Sequence, residues 1–171
     1  MRELDMRICK VAAKDAYGQI KRRDGSSLYD HAVRVSNQFA LLQSAETASV
    51  ALLHDVLTQT DWDAARLRKE AIPRCVMEPL ILLVPRADET WIDYLHRISI
   101  DPVCRFIKLA DMQDDLASDP TPLERKQYSY GTLLLAGWPT KHFMQDSIYD
   151  ILEVPKKMRG FLPEHMEDED V

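Results

Sequence analysis

Hydrophobic residues in this chain recur at intervals of three and four positions, and strict alternation of polar and apolar residues is scarce. This spacing is typical of amphipathic helices. It predicts helices over residues 2–19, 29–43, 45–58, 62–71, 88–99, 121–136 and 140–153, one more after residue 101, and a buried apolar segment at 80–84. The pattern therefore predicts an all-α fold, a bundle of about seven to nine helices.

Local signals fix several ends of these helices. Asp101 followed by Pro102 is the clearest start, because an aspartate side chain caps free N–H groups and proline suits the first helical position. Asp61 is expected to cap the helix at 62–71. The segment at 21–27 combines charge, glycine and serine, which is typical of a loop.

Four polar residues lie on helical faces that are otherwise apolar: His31, His54, Asp55 and Asp111. Burying an unpaired imidazole or carboxylate is costly, so such residues normally have an ionic partner or a metal. Two imidazoles and two carboxylates suit Mn, Fe, Zn or Ni better than Mg or Ca. Ordinary structural roles stay open as well: His31 as a half-buried, hydrogen-bonded histidine, and Asp111 as the ion-pair partner of Lys108 or Arg105.

Composition narrows the class of protein. A chain of 171 residues, 46% apolar and 29% charged, fits one globular domain. A net charge of −6 argues against a general nucleic-acid binder, which needs a surplus of Lys and Arg. Scattered cysteines, and no apolar run of about 20 residues, favour a cytoplasmic protein without disulfides or membrane spans. We expect one domain over residues 1–160 and an acidic, disordered tail at 161–171.

Four stretches of the sequence resemble the HD superfamily of metal-dependent phosphohydrolases: residues 22–25, 50–57, 89–98 and 107–111. The order His…His-Asp…Asp, set within Ala-Leu-Leu-His-Asp and Ile-Lys-Leu-Ala-Asp, is most similar to the hydrolase domain of RelA/SpoT proteins and their small stand-alone relatives. Those proteins hydrolyse the alarmone (p)ppGpp. The resemblance implies an HD-domain helical bundle and an enzyme that releases pyrophosphate from the 3′ position by metal-activated water.

The resemblance also implies roles for individual residues. The metal ligands, called the His/Asp cluster below, are His31, His54, Asp55 and Asp111. Mn²⁺ is the expected metal, with Fe, Zn or Ni as alternatives. Arg22 and Arg23 match a basic pair that contacts the nucleotide, and Ser118 matches a hydroxyl residue near it. The implied partner is a small nucleotide, guanosine polyphosphate being favoured. Charge and the lack of a long apolar run already argue against nucleic acid and membrane as partners, and monomer and homodimer both stay open.

The chain departs from the family's pattern where water activation is expected. The family's Glu-Asp pair is replaced by Thr58 and Gln59, neither of which acts as a base near neutral pH. A family Asn is replaced by Asp115. In one interpretation the catalytic carboxylate has moved, to Asp115 or to Asp61 and Asp63, and (p)ppGpp or another nucleotide is hydrolysed, as by a generic HD nucleotidase. In the other, the chain binds metal and nucleotide as a regulatory protein without efficient hydrolysis.

Overall fold

The computed structural model describes residues 6–40 and 45–137, and within them all regular secondary structure is helical. The helices are α1 (Met6–Tyr17), α2 (Leu28–Ala40), α3 (Ala45–Leu53), α4 (Val56–Gln59), α5 (Ala64–Lys69), α6 (Arg74–Leu82), α7 (Trp91–Ser99), α8 (Pro102–Leu116) and α9 (Pro122–Leu135). Lys21 and Ser27 form an isolated antiparallel bridge. The prediction of an all-α fold is confirmed.

Helix α3 lies at the centre of this bundle. Every residue from Thr47 to Leu53 is buried, and none of them is charged. A helix without a polar face is stable only when neighbours cover it on all sides. Helices α1, α2, α6 and α8 supply this cover. The C-terminal end of α3 therefore places the next residue, His54, in the interior.

Two helix ends differ from the predictions. The helix predicted at 45–58 is interrupted after α3, and Asp55 precedes the short α4 with a helical backbone but without a side-chain capping bond. Asp63, rather than Asp61, caps α5, because its carboxylate accepts a hydrogen bond from the backbone N–H of Arg66. Because the helix is interrupted after α3, His54 and Asp55 of the His/Asp cluster lie in a turn and not within a helix.

Prolines explain why the sequence analysis missed helix α6 and why it placed the start of α8 correctly. The apolar segment at 80–84 belongs mostly to α6, which begins after Pro73 and contains Pro79. A proline inside a helix removes one backbone hydrogen bond and usually argues against a helix at that position. For this reason the sequence pattern did not predict α6. The predicted start of α8 is confirmed, since Asp101 accepts a hydrogen bond from the N–H of Cys104 at 2.9 Å, with a proline in the first turn.

The loop between α1 and α2 is closed by its own backbone. The N–H of Arg22 donates to the carbonyl of Ser26 at 2.9 Å, and the N–H of Gly25 donates to the carbonyl of Arg22 at 3.0 Å. Gly25 has a φ of +82°, in the left-handed region that glycine adopts without strain. This tight turn fixes the position of Arg22 and Arg23 beside the end of α8.

Some predictions lie beyond the described residues. The helix predicted at 140–153 and the acidic tail predicted at 161–171 lie outside them. The single domain over residues 1–160 stays a prediction. Among the described residues, no helix combines the length and the apolar character that crossing a membrane requires.

Arg97 ties the loop after α6 to helix α7. Its guanidinium donates to the carbonyls of Leu82 and Val84 at 2.6 and 3.1 Å, and it pairs with Glu89. The hydrogen bonds from Arg97 lower the pKa of Glu89 to about 2. This one side chain therefore satisfies acceptors at both ends of the loop.

Replacing Arg97 by Ala leaves these acceptors without their donor in a mostly buried position. We expect the free energy of unfolding to fall by about 2 kcal/mol, measured by urea denaturation. Arg86 is exposed in the same loop, so Arg86→Ala serves as the control, with an expected change below about 0.5 kcal/mol. If both variants lost the same free energy of unfolding, the hydrogen bonds from Arg97 to the loop carbonyls would not contribute to stability.

Candidate metal centre

Three parts of the bundle bring the His/Asp cluster together. His31 lies in α2 and Asp111 in α8, while His54 and Asp55 form the turn between α3 and α4. Helices α2 and α3 pack against each other, and α8 contacts both. His31, His54 and Asp111 are buried, with 2%, 7% and 4% of their surfaces exposed. Polar groups at this depth need partners.

The ligand atoms of the cluster face one another. The Nε2 atoms of His31 and His54 are 3.4 Å apart. Asp111 Oδ1 lies 3.2 and 3.4 Å from these nitrogens, and Asp55 Oδ2 lies 3.7 and 3.4 Å from them. Ligands that share one cation at about 2.1 Å are separated by about 3.0 to 3.4 Å. The spacing of the two imidazole nitrogens and Asp111 Oδ1 is therefore close to that of a metal-binding set, and Asp55 Oδ2 lies beside the two nitrogens.

The Nδ1 atom of each imidazole, the ring nitrogen that faces away from the cluster, already has a hydrogen-bond partner. His54 Nδ1 lies 2.7 Å from the carbonyl oxygen of Ala51, and His31 Nδ1 lies 2.7 Å from a carboxylate oxygen of Asp114. Carbonyl and carboxylate oxygens accept hydrogen bonds, so Nδ1 carries the proton in both rings. In a neutral imidazole this leaves the Nε2 lone pair directed at the centre of the cluster, as metal coordination requires.

Opposite charges within the cluster shift the pKa values of its members. Burial acts to lower the pKa of His54, but Asp55 and Asp111 outweigh it and raise that pKa to about 9. Burial acts to raise the pKa of Asp111, but Lys108 and the two imidazoles hold it well below the usual range. The imidazoles and carboxylates of the cluster therefore stabilise each other's charged forms. The donor set of two imidazoles and two carboxylates fits a divalent cation.

Asp114 and Arg34 support His31, a role that the sequence analysis missed. Besides accepting from the imidazole, the Asp114 carboxylate accepts two hydrogen bonds from Arg34, each 2.8 Å long. A carboxylate behind a histidine fixes the tautomer and the orientation of the ring. The spacing was the available signal, because Asp114 lies one helical turn after Asp111 and Arg34 one turn after His31.

Lys108 was considered only as an ion-pair partner, and the structure gives it a place in the site. Its Nζ donates to Asp111 Oδ2 at 2.7 Å, while Oδ1 of the same carboxylate faces the histidines. The two interpretations of Asp111, ion pair and metal ligand, are therefore compatible. Each uses a different oxygen.

Two cavities meet at the cluster. The apolar cavity, of about 350 Å³, has Trp91, Tyr94 and Leu83 in its wall. The polar cavity, of about 340 Å³, is lined by residues that include Arg22 and Tyr128. Both are lined by Asp55, Gln59, Lys108 and Asp111. A molecule that occupied both cavities would have its middle part next to the His/Asp cluster.

The residues assigned to nucleotide binding share the polar cavity. Arg22, Arg23 and Ser118 all line it. Arg22 forms an ion pair with Asp115, and Arg23 donates to both oxygens of Glu124 at 2.8 and 2.7 Å. The hydroxyl of Ser118 accepts a hydrogen bond from Arg22 at 3.3 Å. The structure brings these residues together, and their contact with a nucleotide stays a prediction.

The carboxylates considered for catalysis lie in different places. Asp115 lines the polar cavity with Asp111, and burial together with the Asp111 charge raises the pKa of Asp115 to about 6. Asp63 is used as the cap of α5. Neither Asp63 nor Asp61 is among the described residues that line the two cavities. Of these carboxylates, only Asp115 is placed near the cluster.

Comparison with known proteins identifies the fold. No family model and no curated protein matches the sequence. A solved structure that does match is that of a metazoan ortholog of SpoT, described as hydrolysing ppGpp and playing a role in starvation responses. The TM-score is 0.64 at 18% sequence identity, over 95% of this chain and 99% of that one. At this identity the likeness establishes a shared helical fold over nearly the whole length of both chains.

Proposed function

We propose that this chain is a metal-dependent phosphohydrolase that acts on a nucleotide. The observation that carries the proposal is the convergence of two imidazole nitrogens and Asp111 Oδ1, 3.2 to 3.4 Å apart, where the two cavities meet. Asp55 Oδ2 lies 3.4 and 3.7 Å from the same nitrogens. The shared fold supports it, because the SpoT ortholog is described as hydrolysing ppGpp. Fold alone does not determine function, so the proposal depends mainly on the cluster.

The His/Asp cluster is proposed to hold one divalent cation. We propose Mn²⁺, with Fe, Zn or Ni as alternatives that accept the same nitrogen and oxygen ligands. Such a cation lowers the pKa of a water molecule and polarises a phosphoryl oxygen. The protein keeps the ligands in position, since Asp114, Lys108 and the carbonyl of Ala51 each hold one member of the cluster.

Guanosine polyphosphate, (p)ppGpp, is the first candidate substrate, with pyrophosphate released from its 3′ position. The resemblance to RelA/SpoT hydrolase domains supports this candidate, as does the presence of Arg22 and Arg23 beside the cluster. Guanidinium groups bind phosphate oxygens and stack on planar bases. The aromatic wall formed by Trp91 and Tyr94 offers a further surface for a ring.

Two other candidates are each favoured by one observation. A nucleotidase for substrates with fewer phosphate groups is favoured because Arg22 and Arg23 are already paired with carboxylates. A metal- and nucleotide-binding regulatory protein is favoured because Thr58 and Gln59 occupy the positions of the family's acid pair. For the two enzymatic candidates we propose Asp115 as the proton acceptor, since it shares the polar cavity with Asp111.

Metal analysis and a product screen test the proposal together. We expect the purified protein to contain, or to take up on incubation, a stoichiometric transition metal. With Mn²⁺ present, we expect pyrophosphate release from (p)ppGpp, whereas a nucleotidase would release orthophosphate from nucleoside mono- or triphosphates. Absence of metal binding would refute the site. Metal and guanine-nucleotide binding without turnover of any substrate would favour the regulatory protein.

Replacing Asp114 by Asn tests the support of His31. The amide cannot hold both the imidazole and Arg34 as the carboxylate does, so the ring loses its fixed orientation. We expect metal affinity to fall by about 10- to 100-fold, measured by competition with a fluorescent chelator. Asp119→Asn removes the same charge from an exposed residue that follows α8, so it serves as the control with unchanged affinity. Unchanged affinity in Asp114→Asn would contradict the assigned role.

A further inference from the structure

Every lysine and arginine that the described residues contribute to the lining of the polar cavity is paired with a carboxylate. The pairs are Arg22 with Asp115, Arg23 with Glu124, and Lys108 with Asp111. The described lining contains five carboxylate side chains but only three lysine or arginine side chains. A phosphate group entering this cavity therefore meets guanidinium and ammonium groups whose charge is already neutralised.

The Arg22 pair is the one best placed to affect a ligand. The side chains of Arg22 and Asp115 are each 18% exposed, whereas that of Arg23 is 55% exposed. Ion pairs at exposed positions are weak because solvent screens them, while partly buried pairs are screened less. Lys108 is committed to a member of the His/Asp cluster. Arg22 is thus the cation whose pairing should most affect a phosphate bound in this cavity.

Both terminal nitrogens of the Arg22 guanidinium already contact oxygen atoms of the protein. One of them contacts Asp115, and the other lies 3.3 Å from the hydroxyl of Ser118 and 3.7 Å from Asp114. A phosphate that binds the N–H groups now directed at Ser118 and Asp115 displaces the Asp115 carboxylate. The displaced carboxylate then faces the phosphate as a like charge, and this repulsion grows with the number of charges on the ligand.

We propose that Asp115 determines how much negative charge a ligand of this site can carry. Resting on the proposed function, this makes Asp115 a specificity-determining residue: it weakens the binding of a diphosphate group, that of (p)ppGpp included, more than the binding of a single phosphate group. The effect acts through Arg22, because Asp115 occupies the position on the guanidinium that the additional phosphate would need. Removing the charge of Asp115 releases Arg22 for a diphosphate group.

Binding of inorganic pyrophosphate and orthophosphate to the metal-loaded protein tests this role without requiring turnover. In Asp115→Asn, which keeps the side-chain shape, we expect pyrophosphate to bind about tenfold more tightly and orthophosphate at most about threefold more tightly. Calorimetry measures both affinities. Asp88→Asn is the control, since it removes the same charge from an exposed residue outside the described lining of both cavities, and we expect no change.

A double-mutant cycle with Arg22→Gln identifies the route of the effect. In the wild-type background, Arg22→Gln should change pyrophosphate affinity by less than about threefold, because Arg22 is already occupied. In the Asp115→Asn background, the same change should remove the tenfold gain. A gain that survives without Arg22, or no gain in Asp115→Asn, overturns the proposal. Thermal unfolding of each variant verifies that it is folded.

The result is separable from the test of the proposed function. If no nucleotide is hydrolysed but Asp115→Asn gains pyrophosphate affinity through Arg22, the phosphohydrolase proposal fails and this inference holds. If nucleotides are hydrolysed but the cycle shows no coupling between the two residues, the inference fails alone. If Asp115 also accepts a proton, its replacement lowers the rate of hydrolysis. The binding measurements do not depend on that rate.

Discussion

Replacing His54 by Ala is expected to abolish both metal binding and hydrolysis. His54 contributes the Nε2 atom that lies 3.4 Å from each of three other ligand atoms, those of His31, Asp55 and Asp111. Without it, two carboxylates are left with one imidazole and a buried gap. We expect bound transition metal to fall from stoichiometric to background, and turnover to fall by at least about 1,000-fold.

Metal analysis of the purified variant and a product-release assay measure the two losses. His96→Ala is the matched control, because His96 is an exposed histidine that is absent from the described lining of both cavities. It should keep the metal and the activity. A His54→Ala protein that still binds one equivalent of metal at the original affinity would show that the cluster is not the metal site. Retained turnover without metal would refute the proposed reaction class.

Much of the fold follows from periodicity, because apolar positions three and four residues apart mark a buried helical face whatever it packs against. The break after α3 does not follow from it. Val56 and Leu57 continue the apolar pattern of α3, so no change in that pattern marks the turn at His54 and Asp55. Propensity and periodicity describe local preferences, which tertiary packing overrides in many proteins.

The site shows the same division between local and non-local information. His31 and Asp111 could be identified from the sequence because each interrupts an apolar helical face, where an unpaired polar group is costly. The contact of Asp114 with His31 joins α8 to α2, so it depends on how those two helices pack. The pairing of Arg22 with Asp115 depends likewise on the α1–α2 loop reaching the end of α8. Spacing within a helix places Asp114 on the same face as Asp111, but it does not determine which other helix that face contacts.

The RelA/SpoT hydrolase domains that the sequence resembles carry a Glu-Asp pair where this chain has Thr58 and Gln59. Introducing that pair by the double substitution Thr58→Glu and Gln59→Asp is expected to raise the proposed pyrophosphate release from (p)ppGpp. Both residues line the apolar cavity beside the cluster, so carboxylates at these positions would lie near an attacking water. A positioned general base contributes about 100- to 10,000-fold to a reaction of this kind. We expect a rise in kcat of at least about 100-fold, with metal content unchanged.

The neutral double variant Thr58→Gln and Gln59→Asn is the control, because it introduces polar side chains of similar size that accept no proton. It should leave kcat within about threefold of the wild-type value, which attributes the gain to proton transfer rather than to altered shape. The increase should also require His54, since a base is useful only beside the cation. If the acidic variant binds metal and (p)ppGpp but turns over no faster, then Thr58 and Gln59 are not what limits hydrolysis, and the substrate assignment is the part of the proposal that must change.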